Sequence, residues 1–163
     1  MIIKLPYGKT HIEWHAEPRR IKAMLHTEFS ALKTNDSETE VVKRALAEPY
    51  GSAPLTELAK NKKNIVIISS DHTRPVPSHI IMPILLAEIN KANPAAKITI
   101  LVATGFHRGS TDSELRAKYG DEIVDRVNIH VHDSKNDEMA DLGFLPSGGK
   151  LLINKVAADA DLL

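Results

Sequence analysis

Residues 64–78 read NIVIISSDHTRPVPS, and the first half of that stretch decides the fold. NIVIISS at 64–70 is a continuous apolar run rich in β-branched residues, the pattern of a strand buried on both faces. Two further runs repeat it, KITILVATG at 97–105 and VNIHVHD at 127–133. Between the first two lies SHIIMPILLAEINKA at 78–92, a helix in which Pro83 demands either a late start or a kink. Between the second and third, Thr111 and Glu114 form a capping box, Gly120 closes the helix that follows, and a short helix is expected over 121–125. Strand and helix alternating at this spacing predict a mostly parallel, Rossmann-like α/β sheet with helices on both faces.

Working outward, MIIKLPYGKTHIEWHA at 1–16 alternates around a Tyr-Gly-Lys turn and predicts an N-terminal β-hairpin, with Gly8 supplying the positive φ of the turn. Residues 17–36 are expected to be an irregular surface connection. SETEVVKRALAEP at 37–49 carries a second capping box, Ser37 with Glu40, and apolar positions at Val41, Val42, Ala45 and Leu46, hence an amphipathic helix. A short helix follows at LTELAK, 55–60. Beyond the third strand, Gly-rich loops, a strand at 150–153 and a helical turn are expected. ADADLL at the end reads as a strand beginning. The whole of 1–163 is expected to be one α/β domain, the N-terminal part of a longer two-domain protein.

Composition removes several classes of function. Lys and Arg number 21, as do Asp and Glu, so the net charge is zero. A phosphate-backbone binder shows a basic excess, and a base-stacking platform needs more than three Phe, three Tyr and one Trp. Nucleic acid is therefore not an expected partner. The longest apolar stretch, IIMPILLA at 80–87, is far too short to cross a bilayer. With no cysteine, disulfides and thiolate metal sites are excluded, and a cytoplasmic location is the expectation.

In open parallel sheets, ligands bind beyond the carboxyl ends of the strands. There the sequence places Asp71, His72, Thr73 and Arg74, then Thr104, Gly105, Phe106, His107 and Arg108, then His132 and Asp133. Arg74, stiffened by neighbouring prolines, can grip a carboxylate or phosphate in a fork, or simply pair with Asp71 on the surface. His107 follows a tight glycine loop and is the natural general base; the loops of Arg74 and His107 leave adjacent strands, so one shared pocket is expected. Asp71 can orient the arginine, bind ribose hydroxyls or merely form a turn. Thr104 and Gly105 can bring backbone amides to a phosphate. His130 and His132 share a strand face, but His-x-His is a weak metal signal without a third ligand. His11, His15, His26 and His79 have no convergent partners. SGGK at 147–150 lacks the rest of a phosphate loop, and no dinucleotide fingerprint follows the first buried strand.

SSDHTRPVPS, ATGFHRGSTDSEL and the His-Asp after the third strand resemble the amino-terminal domain of the nickel-pincer lactate racemase family, as do LPYGK, ALAEPYGSAPLTEL and LLINKVAADADLL. The resemblance runs essentially the whole chain. It implies two α/β domains with a site between them, and racemisation or epimerisation of a 2-hydroxy acid. It also implies a nickel ion held by a sulfur-bearing pyridinium mononucleotide, the nickel-pincer nucleotide. Arg74 would then hold the substrate or sit beside the cofactor, and His107 would be one of two histidine acid/base groups. Asp71, Thr73, Thr104 and Gly105 would line the nucleotide. The second base, the cofactor-attaching lysine and the nickel ligand would lie in a C-terminal domain beyond residue 163, so no metal ligand is assigned within 1–163 and this chain alone is expected to be inactive and without bound cofactor. The alternatives are a nucleotide- or organic-acid-binding domain without turnover and, last, a metal hydrolase using His130, His132 and Asp133.

Overall fold

A computed structural model describes residues 1–25 and 35–163. The part of the expected irregular connection over 26–34 lies outside the described residues. The chain gathers into two compact units, Met1–Asn35 and Asp36–Leu163.

The first unit is the hairpin expected from sequence. Strands β1 (Ile2–Tyr7) and β2 (Thr10–His15) pair antiparallel, with Ile2 opposite His15 and Tyr7 opposite Thr10. Gly8 takes φ +59° at the first position of the two-residue turn, the geometry that matches strand twist and that glycine reaches without a Cβ clash. A 3-10 turn follows at Pro18–Arg20.

The second unit opens with α1 (Glu38–Ala47), whose first turn is closed by the predicted capping box: the Glu40 amide donates to the Ser37 hydroxyl, and the Ser37 amide to the Glu40 carboxylate. A single turn, α2 (Leu55–Leu58), leads to β3 (Asn64–Ser70). Helix α3 (Ser78–Ala92) then runs to β4 (Lys97–Ala103), and α4 (Asp112–Tyr119) and α5 (Asp121–Arg126) run to β5 (Asn128–Val131). Pro83 sits inside α3, which begins at Ser78 all the same, so the late start allowed by the sequence does not occur. The three strands form one parallel sheet in the order β3-β4-β5.

Parallel register sorts the side chains. Ile67, Ile100 and Val102 join Met82 and Leu86 of α3, Tyr119 of α4 and Ile123 of α5 in the main core. Ile100 and Val102 have no exposed surface, and burying such side chains stabilises by about 1.5–3 kcal/mol each relative to leaving them in water. The opposite face is covered more thinly. There Val66 and Leu101 meet Ala157 and Val156 of α6 (Lys155–Ala158), a single helical turn. Ile68, on the same face, is half exposed. Helices therefore lie on both faces, unequally.

One element was not foreseen. Gly-rich loops were expected from Leu142 up to the strand at 150–153, but Met139–Phe144 form β6, which pairs antiparallel with β7 (Lys150–Asn154) across an irregular register between Asp141 and Phe144. The beginning of a strand at ADADLL is observed as one parallel bridge between Leu162 and Ile65.

Candidate active site at the carboxyl edge of the sheet

The three strands end side by side at Ser70, Ala103 and Val131, so the loops that follow emerge on one edge. Asp71 is the first residue past β3 and is almost wholly buried, with 2% of its surface exposed. A buried carboxylate needs its oxygens satisfied. Oδ1 accepts from the Thr73 hydroxyl at 2.6 Å and the Thr73 amide at 3.1 Å, and Oδ2 meets Nδ1 of His107 at 2.6 Å. The Thr73 hydroxyl, followed by the His107 ring, holds the Asp71 carboxyl well below the usual carboxylate range against the opposing effect of burial.

The consequence falls on His107. Its loop leaves β4 through Gly105, at φ +58°, and the His107 amide donates to the Thr104 carbonyl, which folds the loop back toward β3. With Nδ1–H directed to an ionised carboxylate, the ring presents Nε2 as its free, basic nitrogen. The imidazole side chain is 48% exposed while Asp71 is sealed beneath it. That is the geometry of an oriented base: one nitrogen anchored, the other open.

Arg74 is placed elsewhere. It does not pair with Asp71, and among the described residues its guanidinium has no ion pair or side-chain hydrogen bond. It lines a depression with His72, His79, Glu114 and Lys118, whereas His107 lines another with Phe106, Ser110 and His132. The two loops thus share the sheet edge but open onto separate depressions. Thr104 is buried, and its hydroxyl donates to the His132 carbonyl at 2.6 Å, tying the His107 loop to the end of β5. Thr73 and Gly105 are at the surface, and the space beside the Gly105 Cα is open.

Sequence reasoning missed a second cluster on the same edge. Oδ2 of Asp137 accepts from His130 Nε2 at 2.8 Å, His132 Nδ1 at 2.9 Å, Asn154 Nδ2 at 2.7 Å and the Asp133 amide at 3.0 Å. Burial works to raise the Asp137 pKa, but these hydrogen bonds outweigh it and bring the carboxyl down to about 2. The shared strand face of His130 and His132 was readable; the aspartate that joins them sits in a polar loop, DSKNDE, with nothing to mark it. Asp133 turns inward on its own loop, accepting from the amides of Lys135 and Asn136. Among the described residues, no three His, Cys, Asp or Glu side chains gather in a way that could hold a metal ion, and no helix is long and apolar enough to cross a membrane.

A parallel α/β sheet with an aspartate-held imidazole at its carboxyl edge places that imidazole where ligands bind in open sheets of this class. Comparison with known proteins narrows the class. The chain belongs to the lactate racemase N-terminal domain family, which matches residues 7–163. It is 52% identical over 162 residues to the lactate racemase of Thermoanaerobacterium thermosaccharolyticum and, over the same length, 52% identical to that of Lactiplantibacillus plantarum. In each case 99% of this chain is covered but only 38% of the relative. The structure of the lactate racemase apoprotein from T. thermosaccharolyticum superposes with a TM-score of 0.89 at 50% identity, covering 100% of this chain and 38% of that one. The chain therefore spans less than two-fifths of the length of the relatives it matches.

Proposed function

We propose that this chain is the N-terminal catalytic and cofactor-facing domain of an enzyme that racemises or epimerises a 2-hydroxy acid, with His107 as an acid/base group. The observation that carries the reading is the 2.6 Å pair between His107 Nδ1 and buried Asp71. It leaves Nε2 free to take the proton of a substrate hydroxyl and return it.

The C2 hydrogen of a 2-hydroxy carboxylate is scarcely acidic, so an imidazole alone cannot remove it as a proton. The nickel-pincer nucleotide supplies, when bound, an acceptor for that hydrogen as hydride. The donor set here suits the organic part of such a group. Surface Thr73 and the open backbone at Gly105 offer oxygen and amide contacts to a ribose or phosphate, while buried Asp71 keeps Thr73 oriented. Thr104 would contribute through its backbone, its hydroxyl being committed to His132. Arg74, exposed and without a side-chain partner among the described residues, opens onto the neighbouring depression and would hold an anionic end of the substrate or sit beside the cofactor.

The test is racemisation of several 2-hydroxy acids by the full-length, cofactor-loaded protein carrying His107→Ala. A loss on the order of 10²–10⁴-fold is expected for removal of an acid/base group; near-normal turnover removes His107 from the reaction.

A further inference from the structure

The depression beside α4 brings together two cationic side chains, Lys118 and Arg74, that no described carboxylate pairs with. Lys118 lies in the last turn of α4 and reaches back to β3, its Nζ donating to the Ser70 hydroxyl at 3.2 Å. Among the described residues that hydroxyl is its one hydrogen-bond partner, and no carboxylate lies within salt-bridge distance. Arg74 approaches the same depression from the β3 loop with no partner for its guanidinium among the described residues, and His72, His79 and Glu114 also line it. The nearby carboxylates are taken. Glu114 accepts two bonds from Arg108, at 2.8 and 2.6 Å, and one from the Thr111 amide, and stands 3.7 Å from His72 Nε2. Asp71 is spent on Thr73 and His107.

A half-buried ammonium with one neutral partner is costly unless an anion completes it. Burial pushes the Lys118 pKa down, and the more distant Asp71 only partly opposes that shift. Arg and Lys together present a planar fork and a point charge, a combination that grips oxygens spread over a small group. The depression holds about 290 Å³, below the range typical of drug-sized ligands and ample for a carboxylate or a phosphoryl group.

We propose that Lys118 and Arg74, flanked by His72 and His79, form an oxyanion-binding site in the depression between α4 and the loop after β3. The assignment deepens the racemase reading by naming where an anionic end of substrate or cofactor is held, and Lys118 is the new residue in it. Its test does not depend on turnover. In the full-length protein with ¹³C-methylated lysines, the Lys118 resonance, identified by its loss in Lys118→Arg, is followed while sodium phosphate or sodium lactate replaces sodium chloride at constant ionic strength. A saturable shift with either oxyanion and none with chloride is expected; response to phosphate alone marks a phosphoryl site and response to lactate alone a carboxylate site. Calorimetry on Lys118→Met should show about ten-fold weaker binding of the responding anion, and Lys118→Arg less than about three-fold. A Lys118 signal indifferent to both anions, or unchanged affinity in Lys118→Met, overturns the proposal. If Lys118→Met does not fold, the wild-type titration decides. A protein that binds an oxyanion at Lys118 but racemises nothing keeps this site and loses the racemase reading; the reverse result does the opposite.

Discussion

Two aspartate–histidine clusters stand on one sheet edge, and they are built for different purposes. At Asp71, one carboxylate oxygen serves one imidazole, and that ring is half open to solvent. At Asp137, a single oxygen gathers two imidazoles, an amide side chain and a backbone N–H, joining β5 to the start of α6. The first arrangement fixes a base while leaving it usable. The second uses imidazoles as hydrogen-bond donors in a knot. Residue type and distance are alike in both; what separates them is how many donors the carboxylate serves and how far the ring is exposed.

The sharpest way to break that contrast is to remove each imidazole in turn. His107→Ala in the full-length holoenzyme should cost on the order of 10²–10⁴ in turnover, while His130→Ala should stay within about three-fold, since its ring is hydrogen-bonded to Asp137 and does not line the His107 depression. Comparable losses in both erase the distinction. A smaller effect is expected from Asp71→Asn, on the order of 10–100-fold in activity, because the amide can donate to Nδ1 and so favours the wrong tautomer. Its signature is an altered pH–rate profile with the melting temperature nearly kept; a variant that loses stability instead would make Asp71 structural.

The knot should show its effect in stability. Asp137→Ala strips the shared acceptor from partly buried donors and should destabilise by about 1–3 kcal/mol, read as a shift in denaturation midpoint. His107→Ala should shift that midpoint far less. The smallest effect concerns acid. The Asp137 carboxyl lies near 2 in the folded protein against an ordinary 3.8, so its contribution is fully present above 3.8 and drains away as pH falls toward about 2. Chemical denaturation across that window should show a shallower decline in Asp137→Asn than in the wild type; identical slopes would mean that the knot carries no titrating stabilisation.

How much of this was legible follows from where the information sits. β3 and β4 announce themselves because their β-branched runs are local, and both capping boxes are local too. β6 was missed because MADLGF has no β-branched residue, a glycine near its end and an irregular pairing. The strand-end position of His107 and Arg74 was readable from order alone, but not that the ring would turn to Asp71 while the guanidinium faced a different depression. Lys118 and Asp137 were invisible for a related reason: each gains its role from a partner on another element, Ser70 for one and Asn154 for the other.

Glu114 carries a consequence beyond helix capping. The same carboxylate closes the first turn of α4 and clamps Arg108, the residue next to His107, and that clamp holds its pKa well below the ordinary carboxylate range. Fraying of this helix would release the neighbouring loop in the same event. Local opening at the amides of Thr111 and Glu114 would therefore also loosen the hold on Arg108, so the first turn of α4 and the loop before it are expected to open together.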